Sequence, residues 1–260
     1  MSTSSTPPVL EIKNLNKIYS NGHQALTNIS LNVEQGQFLV IIGLSGSGKS
    51  TLLRCINRLH DASSGQIMFQ GNDINLLEGA ELRKTRSRIG MIFQHFNLIP
   101  RKTVIENVLY GNLSRISVLK SILGIYSTED KKRALRYLEI VGLQGKENNR
   151  ADALSGGQQQ RVSVARALMQ NPKILLADEP VASLDPATSH SVMDYLEKIN
   201  KELGVTVICN LHFLSLVRRY ASNVVALKSG QIVFTGSPQE IDQEWFRKIY
   251  GEEAVEVTIK

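Results

Sequence analysis

The thirteen residues Phe38–Ser50 read FLVIIGLSGSGKS: an unbroken apolar run, a loop with three glycines, then a lysine and a serine. A strand apolar on every side chain must be covered on both faces, which places it inside a parallel sheet flanked by other layers. The stretch that follows, STLLRCINRL, has the apolar spacing of a helix. A glycine-rich loop between a buried strand and a helix N-terminus is the setting in which this spacing of glycine, lysine and serine cradles phosphate. Gly43, Leu44, Ser45, Gly46, Ser47 and Gly48 would turn backbone N–H groups inward at phosphate oxygens. Lys49 would reach the β and γ phosphates, Ser50 would ligate Mg²⁺, and Thr51 would close the first helical turn beside them.

The rest of the chain fits such a core. With 260 residues there is room for one large α/β domain, or a core domain plus a smaller subdomain. The longest apolar run, FLVIIGL, is far short of the roughly 20 residues of a membrane-spanning helix. The N-terminus lacks the basic and apolar regions of a secretory leader, so the expected location is the cytosol. Cys55 and Cys209, each among apolar residues, read as small buried hydrophobes rather than as a disulfide or a metal pair. The net charge is +6, and the densest basic run, LRKTRSR at Leu82–Arg88, has no aromatic residue that could stack on a base. It reads as a solvated face leading into the next strand, not as a nucleic-acid surface.

Alternation of apolar and polar residues from Leu10 to Val33 predicts an N-terminal antiparallel β layer. Strands are also expected in SSGQIMFQG and in RIGMIFQ, which ends at Gln94. Strand signals then vanish, and residues from His95 to about Met169 read as a helical subdomain, with Thr128 as the cap of a helix carrying Leu135, Leu138 and Val141. The second half returns to α/β alternation. KILLAD is a buried strand, Asp185 and Pro186 start a helix that Gly204 ends, VTVICN is the next strand, and Ser229 and Gly230 turn a terminal hairpin. The expected domain covers 9–252, with a flexible N-terminus at 1–8 and a tail at 253–260; the residues after Trp245 carry no clear signal.

Two further motifs carry chemistry. In ILLADEP, Asp178 ends a central strand where it can hold Mg²⁺ directly or through water. Glu179, a second carboxylate beside it, would be repelled there unless it had work to do, and the available work is polarising a water for attack on a γ-phosphate. In ALSGGQQQR, Ser155, the amides of Gly156 and Gly157, and the start of a helix from about Gln159 form a second anion site. An anion site without a lysine suits a phosphate that another loop already holds.

GLSGSGKS, LSGGQQQR, ILLADEP, SLDP and a histidine after the next strand, in that order, resemble the ATP-binding subunits of ABC transporters over about Leu10–Gly236. Chance alone gives LSGGQ on the order of once per million positions. The resemblance implies an ABC-type P-loop ATPase: an α/β fold with a RecA-like parallel-sheet core, the antiparallel layer and the inserted α-helical subdomain. It implies ATP and Mg²⁺ as cofactors and a head-to-tail dimer of two copies. In that dimer Ser155, Gly156, Gly157 and Gln158 of one copy meet the γ-phosphate held by the other. Tyr19 resembles the aromatic residue that stacks on adenine, and Gln94 the glutamine that ligates Mg²⁺ and moves with the helical subdomain. Asp185 resembles the aspartate lining the dimer seam, and His212 the switch histidine at the γ-phosphate.

One cassette without a spanning segment or a heptad run resembles an importer subunit more than an exporter or a non-transport relative. RIGMIFQHFNLIPRKTVIENVLYG, ADEPVASLDPATS and VICNLHFLSLVRRYA resemble phosphonate-import ATP-binding subunits most closely. LLRCINRL and FNL are shared with polar amino-acid importers, which form the alternative. The implied partners are a second copy, integral permease subunits and, indirectly, an extracytoplasmic binding protein, with no nucleic acid, and the implied place is the cytoplasmic face of the inner membrane. Permease contact is expected in the helical subdomain near Gln94. For the apolar segment Ser114–Tyr126, packing within the subdomain and docking to a partner both stand open.

Overall fold

The computed structural model describes residues 7–252 apart from 118, 121 and 122, so the expected tail at 253–260 and most of the expected flexible N-terminus lie outside the described residues. A four-stranded sheet with the order β2-β1-β4-β5 is built from β1 (Leu10–Ile18), β2 (Gln24–Val33), β4 (Ser64–Phe69) and β5 (Asn72–Asp73). Its pairings are antiparallel, as the alternation predicts. A six-stranded sheet with the order β10-β9-β3-β8-β7-β6 comprises β3 (Phe38–Ile42), β6 (Ile89–Ile92), β7 (Ile174–Asp178), β8 (Thr206–Asn210), β9 (Asn223–Lys228) and β10 (Gln231–Gly236). Its strands pair in parallel except for β10, the antiparallel return of a hairpin. That hairpin turns on Ser229 and Gly230 at φ of 50° and 76°, the paired left-handed values of a tight hairpin turn that follows the twist of its strands.

Side-chain alternation along the central strands sorts the core into two layers. Phe38, Val40 and Ile42 of β3 join Leu175, Ala177, Val207, Cys209, Val224 and Ala226 on one face. Leu39 and Ile41 join Ile174, Leu176, Ile208, Val225 and Leu227 on the other. The second face is covered by Leu52, Leu53 and Ile56 of α1 (Lys49–Ile56) and by the antiparallel sheet through Leu10, Ile12, Leu15 and Leu26. The first face is covered by α5 (Gly156–Leu168), α6 (Pro186–Leu203) and α7 (Leu214–Tyr220). Cover on both sides explains why FLVII carries no polar residue.

Between Gln94 and β7 the described elements are helical. They are α3 (Val104–Leu109), a 3₁₀ segment (Tyr110–Arg115), α4 (Thr128–Ile140), a short 3₁₀ turn (Ala151–Ala153) and α5. Val104, Val108, Ala134, Leu138 and Val162 make no core of their own but extend the layer under the sheet. The start of α4 corrects the sequence reading. Ser127, not Thr128, is its cap: the Ser127 hydroxyl accepts from the Asp130 amide at 3.0 Å, and the Asp130 carboxylate accepts in return from Ser127. This reciprocal arrangement outcompetes a cap one residue later, because only Ser127 has an acid three residues on. The helix expected to start near Gln159 begins at Gly156, for the same reason set one residue type apart: Ser155 caps it and Gln158 answers. After Trp245, where the sequence is mute, α8 (Gln243–Tyr250) is capped by Asp242 and sets Trp245 edge-on to Phe234 with ring centres 5.0 Å apart.

The segment after the 3₁₀ turn does not pack as a buried element. Leu119 and Leu123 are 68% and 61% exposed and Ile125 is 52% exposed, while Tyr126 rests against the main core.

Ile41 lies at the centre of β3 and is fully buried. Replacing it with alanine should cost about 2–5 kcal/mol in urea unfolding, whereas Leu76→Ala, at a side chain 79% exposed, should stay within about 0.5 kcal/mol of wild type.

Candidate functional site

The loop Gly43–Gly48 leaves β3 and closes onto α1 through Gly48, which serves as the helix cap at φ 103°. A side chain there would be strained by φ alone, and its Cβ would stand 2.6 Å from the Ala25 carbonyl oxygen of β2. The loop is thus pressed against the antiparallel layer. It is also tied to the terminal hairpin, since the Gly230 amide donates to Ser47 O at 3.1 Å.

Lys49 is 4% exposed, and its Nζ donates to the carbonyls of Gly43 at 2.9 Å and Leu44 at 3.0 Å. Burial pulls the ammonium below its ordinary pKa, against the attraction of Glu179 and Asp178. The Ser47 hydroxyl is buried and, among the described residues, has no hydrogen-bond partner. A curled loop with a desolvated cation held only by neutral carbonyls, and a buried hydroxyl left over, fits an anionic ligand such as a nucleotide phosphate.

Asp178 is the second pole. It ends β7 at 4% exposure and accepts from the Ser50 hydroxyl at 2.7 Å and from Asn210 Nδ2 at 2.8 Å, with Arg54 NH2 3.7 Å away on the other oxygen. A buried carboxylate served mainly by neutral donors is short of positive charge. This oxygen donor set, with Ser50 and Asp178 in contact, fits a hard divalent cation such as Mg²⁺. Asn210 was not anticipated; its only signal was a polar residue closing the apolar strand VTVICN.

Glu179 follows at φ 52°, in the left-handed region. A non-glycine residue there costs about 1–3 kcal/mol and is tolerated where the surroundings fix it. Here the turn is fixed by the Ala182 amide donating to Glu179 O at 3.2 Å, and the side chain is fixed by His212, whose Nε2 lies 2.5 Å from Glu179 Oε1. The His212 hydrogen bond holds the Glu179 carboxyl below the usual glutamate range, with Lys49 contributing.

Tyr19 stands in the turn after β1, its hydroxyl 3.2 Å from Thr51 Oγ1 and 3.0 Å from His60 Nδ1. His23 lies parallel to its ring and His60 edge-on. Burial, with Arg54 and Lys17 nearby, lowers the His60 pKa. His60 did not stand out in the sequence, because only the fold brings it to Tyr19, whereas His23 reaches the ring through the local turn closed by the Tyr19 amide on His23 O. Tyr19, Ser45, Lys49, Ser50, Gln94 and Glu179 border one cleft of about 410 Å³.

The glycine pair of the second motif lies elsewhere. Ser155 and Gly156 are exposed, and neither borders that cleft. Ser155 Oγ accepts from the Gln158 amide at 3.4 Å while Gln158 Oε1 accepts from the Ser155 amide at 3.3 Å, so the serine and glutamine form one capping box. The amides of Gly156 and Gly157, in the first turn of the helix, have no intrahelical acceptor. Gly157 is seated on the Thr188 methyl group of α6. Thr188 in turn is held by Asp185, the cap of α6, which accepts from its amide at 3.0 Å and its hydroxyl at 2.6 Å. Arg166, farther along α5 and also unanticipated, donates to the carbonyls of Phe96 at 2.9 Å and Asn97 at 2.6 Å. Its guanidinium therefore couples the helix that Ser155 caps to the loop that begins at Gln94.

Comparison with known proteins agrees with this geometry. The family described as ABC transporter matches residues 26–182. The "Phosphonates import ATP-binding protein PhnC" of Bdellovibrio bacteriovorus is 60% identical over 251 residues, covering 96% of both chains. The protein of the same name from Staphylococcus aureus strain USA300 is 52% identical over 242 residues, covering 93% of this chain and 94% of that one. Among solved structures, cbiO1 of Clostridium perfringens, part of the ABC transporter complex cbiONQ, superposes with a TM-score of 0.80 at 31% identity over 94% of each chain. The ATP-binding cassette MJ0796, in a dimeric post-hydrolysis state bound to ADP and Pi, gives 0.77 at 38% identity over 88% of this chain and 98% of that one.

If His212 holds the Glu179 carboxylate as the geometry indicates, His212→Ala should raise the Glu179 pKa, read by carbon NMR of the side-chain carboxyl. Because the folded value is depressed, this contact contributes stability above the unfolded glutamate range and loses it as pH falls through the folded value. The acid limb of the unfolding profile should therefore flatten in the variant, and an unchanged titration would remove the contact's electrostatic role.

Proposed function

The chain belongs to the ABC transporter family, and from that premise we propose that it is the ATP-hydrolysing subunit of an importer for phosphonates or closely similar phosphorus oxyanions. The cargo reading is supported by the names of relatives at 60% and 52% identity. The engine reading rests on one observation above all: Lys49, Ser50, Asp178 and Glu179 meet at one end of the parallel sheet around a cleft bordered by Tyr19.

In this reading Tyr19 takes the adenine ring and the loop amides of Gly43–Thr51 take the phosphates. Lys49 leaves its two carbonyl acceptors for the β and γ phosphates, a favourable exchange of neutral partners for charged ones. Ser50, Asp178 and Gln94 would hold Mg²⁺, which when bound neutralises phosphate charge. Glu179, kept as a carboxylate, orients the attacking water and accepts its proton, and His212 is then free to turn from Glu179 toward the γ-phosphate. Ser155, Gly156, Gly157 and Gln158 lie outside this cleft, which supports their acting on the ATP of a second copy, with Asp185 at the seam. Closure of the two copies would pull the Gln94 loop with α5 through Arg166, and hydrolysis would release it. The expected setting is the cytoplasmic face of the membrane, where permease subunits bind the helical region near Gln94 and an extracytoplasmic protein delivers cargo to them.

Lys49→Ala should abolish measurable ATP binding by calorimetry, and unchanged affinity would overturn the phosphate-loop assignment. Glu179→Gln should bind ATP normally, hydrolyse it about 10²–10⁴-fold more slowly and accumulate as a dimer in light scattering with ATP and Mg²⁺. A variant that stays monomeric at saturating ATP would contradict the two-copy site.

A further inference from the structure

The helix α1 ends at Ile56, short of the run STLLRCINRL that carries its apolar spacing. Arg58 turns the chain at φ 56°, a left-handed value that a non-glycine residue keeps only where its surroundings impose it. At the end of α2 (Gly79–Arg86) the Arg86 Nε donates to Asn57 O at 3.0 Å, and its NH2 donates to Arg58 O. The Arg58 guanidinium donates to Ile74 O at 2.9 Å and to Asp61 Oδ1 at 3.0 Å. The His60 amide bonds back to Arg54 O at 3.0 Å, and Lys17 Nζ of β1 donates to Asp61 O at 2.7 Å. The turn from Asn57 to Asp61 is therefore fastened to α1, to α2 and to the end of β1 at once, which gives the His60 side chain a fixed origin.

From there the imidazole meets Tyr19. His60 Nδ1 lies 3.0 Å from the Tyr19 hydroxyl, and the rings stand edge-on with centres 5.6 Å apart. The second partner of that hydroxyl, Thr51 Oγ1 at 3.2 Å, sits in the first turn of α1 directly after Ser50. A phenol has one proton, so it gives to one of these partners and accepts from the other, and both contacts are satisfied together. The ring needs such a hold. Tyr19 stands at the root of a turn whose residues Ser20, Asn21, Gly22, His23 and Gln24 are exposed, so packing around that turn does not set its side chain. An unfastened ring would keep rotamer freedom that a stacking base would have to remove. His60 does not border the cleft that Tyr19 borders, so its effect on a ligand passes through Tyr19.

We propose that His60 is a positioning residue for nucleotide recognition: together with Thr51 it clamps the Tyr19 hydroxyl, so that the aromatic face is set beside the phosphate loop before a base arrives. The proposal rests on the reading of Tyr19 as the platform for adenine. Its effect is confined to the base end of the ligand. The clamp adds nothing to the hold on phosphates, so its loss lowers affinity for ATP and leaves affinity for a bare polyphosphate where it was. It acts on binding and not on the hydrolytic step, which belongs to Glu179 in the same reading.

The test compares binding of ATP and of inorganic tripolyphosphate, each with Mg²⁺, to the purified full chain by calorimetry. His60→Phe keeps the edge-on aromatic contact and removes the polar atom. It should weaken ATP binding about 2–10-fold, the range expected for one side chain that must now be ordered on binding. Tripolyphosphate affinity should stay at the wild-type value, which also shows that the variant is folded, and KM for ATP should rise by the same factor with kcat unchanged. His60→Asn, which carries a hydrogen-bonding atom on Cγ as Nδ1 is carried, should bind ATP like wild type. In a Tyr19→Phe background, where no hydroxyl remains to be clamped, His60→Phe should add no further loss. Tyr19→Ala is the control for the underlying reading and should lose ATP affinity while keeping that for tripolyphosphate. If that control behaves so and His60→Phe binds ATP like wild type, the proposal is overturned and the adenine reading stands. If Tyr19→Ala binds ATP like wild type, the adenine reading falls and the proposal falls with it. Equal loss of ATP and tripolyphosphate in His60→Phe, or a full further loss in the Tyr19→Phe background, would show that the turn supports the loop instead of the base and would also overturn the proposal.

Discussion

The arrangement hangs on a buried carboxylate. Asp178 sits at the end of β7, almost wholly out of water, and is held by Ser50 from the phosphate loop and Asn210 from β8. These two bonds fasten the start of α1 to two neighbouring strands of the parallel sheet. They also fix the directions of Lys49, one residue before Ser50, and of Glu179, one residue after Asp178. Burying that charge among neutral donors is unfavourable by itself. The rigid sheet beneath it, apolar on both faces, enforces the position. A site held this rigidly would meet the condition for electrostatic stabilisation of a transferring phosphoryl group.

The second constraint is incompleteness. The start of α5 is fixed by a reciprocal cap, a glycine seated on Thr188 and Asp185 holding Thr188, yet it lies outside the cleft. Arg166 links that helix to the loop after Gln94, which borders the cleft. On the proposed reading one chain carries the holding half of one site and the closing half of another. Two copies related head to tail would satisfy both halves, and the same linkage would let closure move a partner bound near Gln94.

Legibility in the sequence followed interaction range. The strands FLVII, ILLAD and VTVICN, the antiparallel entry layer and the hairpin at Ser229 and Gly230 were readable because apolar period and turn chemistry are local. The placement of the loop Gly43–Gly48 and of the ILLADEP carboxylates at one end of the sheet was readable because each follows directly on a continuous apolar strand. The caps at Ser127 and Ser155 were misplaced by one to a few residues, since a reciprocal cap depends on the pair of residues rather than on the best single cap former. Asn210, His60 and Arg166 could not be found this way, as each acts on a residue more than thirty positions away. The basic run was read as a solvated face. Its exposure agrees, with Arg83, Lys84 and Arg88 all open to solvent.

The central claim is that ATP hydrolysis at this site drives uptake of a phosphorus oxyanion. The most direct measurement is uptake of a labelled phosphonate by a strain lacking this chain and complemented with wild type or Glu179→Gln, with phosphite, phosphate and a polar amino acid as competitors. Uptake restored by wild type alone, and suppressed by phosphorus oxyanions but not by the amino acid, is the predicted result. Uptake supported equally by Glu179→Gln, or absent with wild type whose ATPase activity is intact, would contradict it.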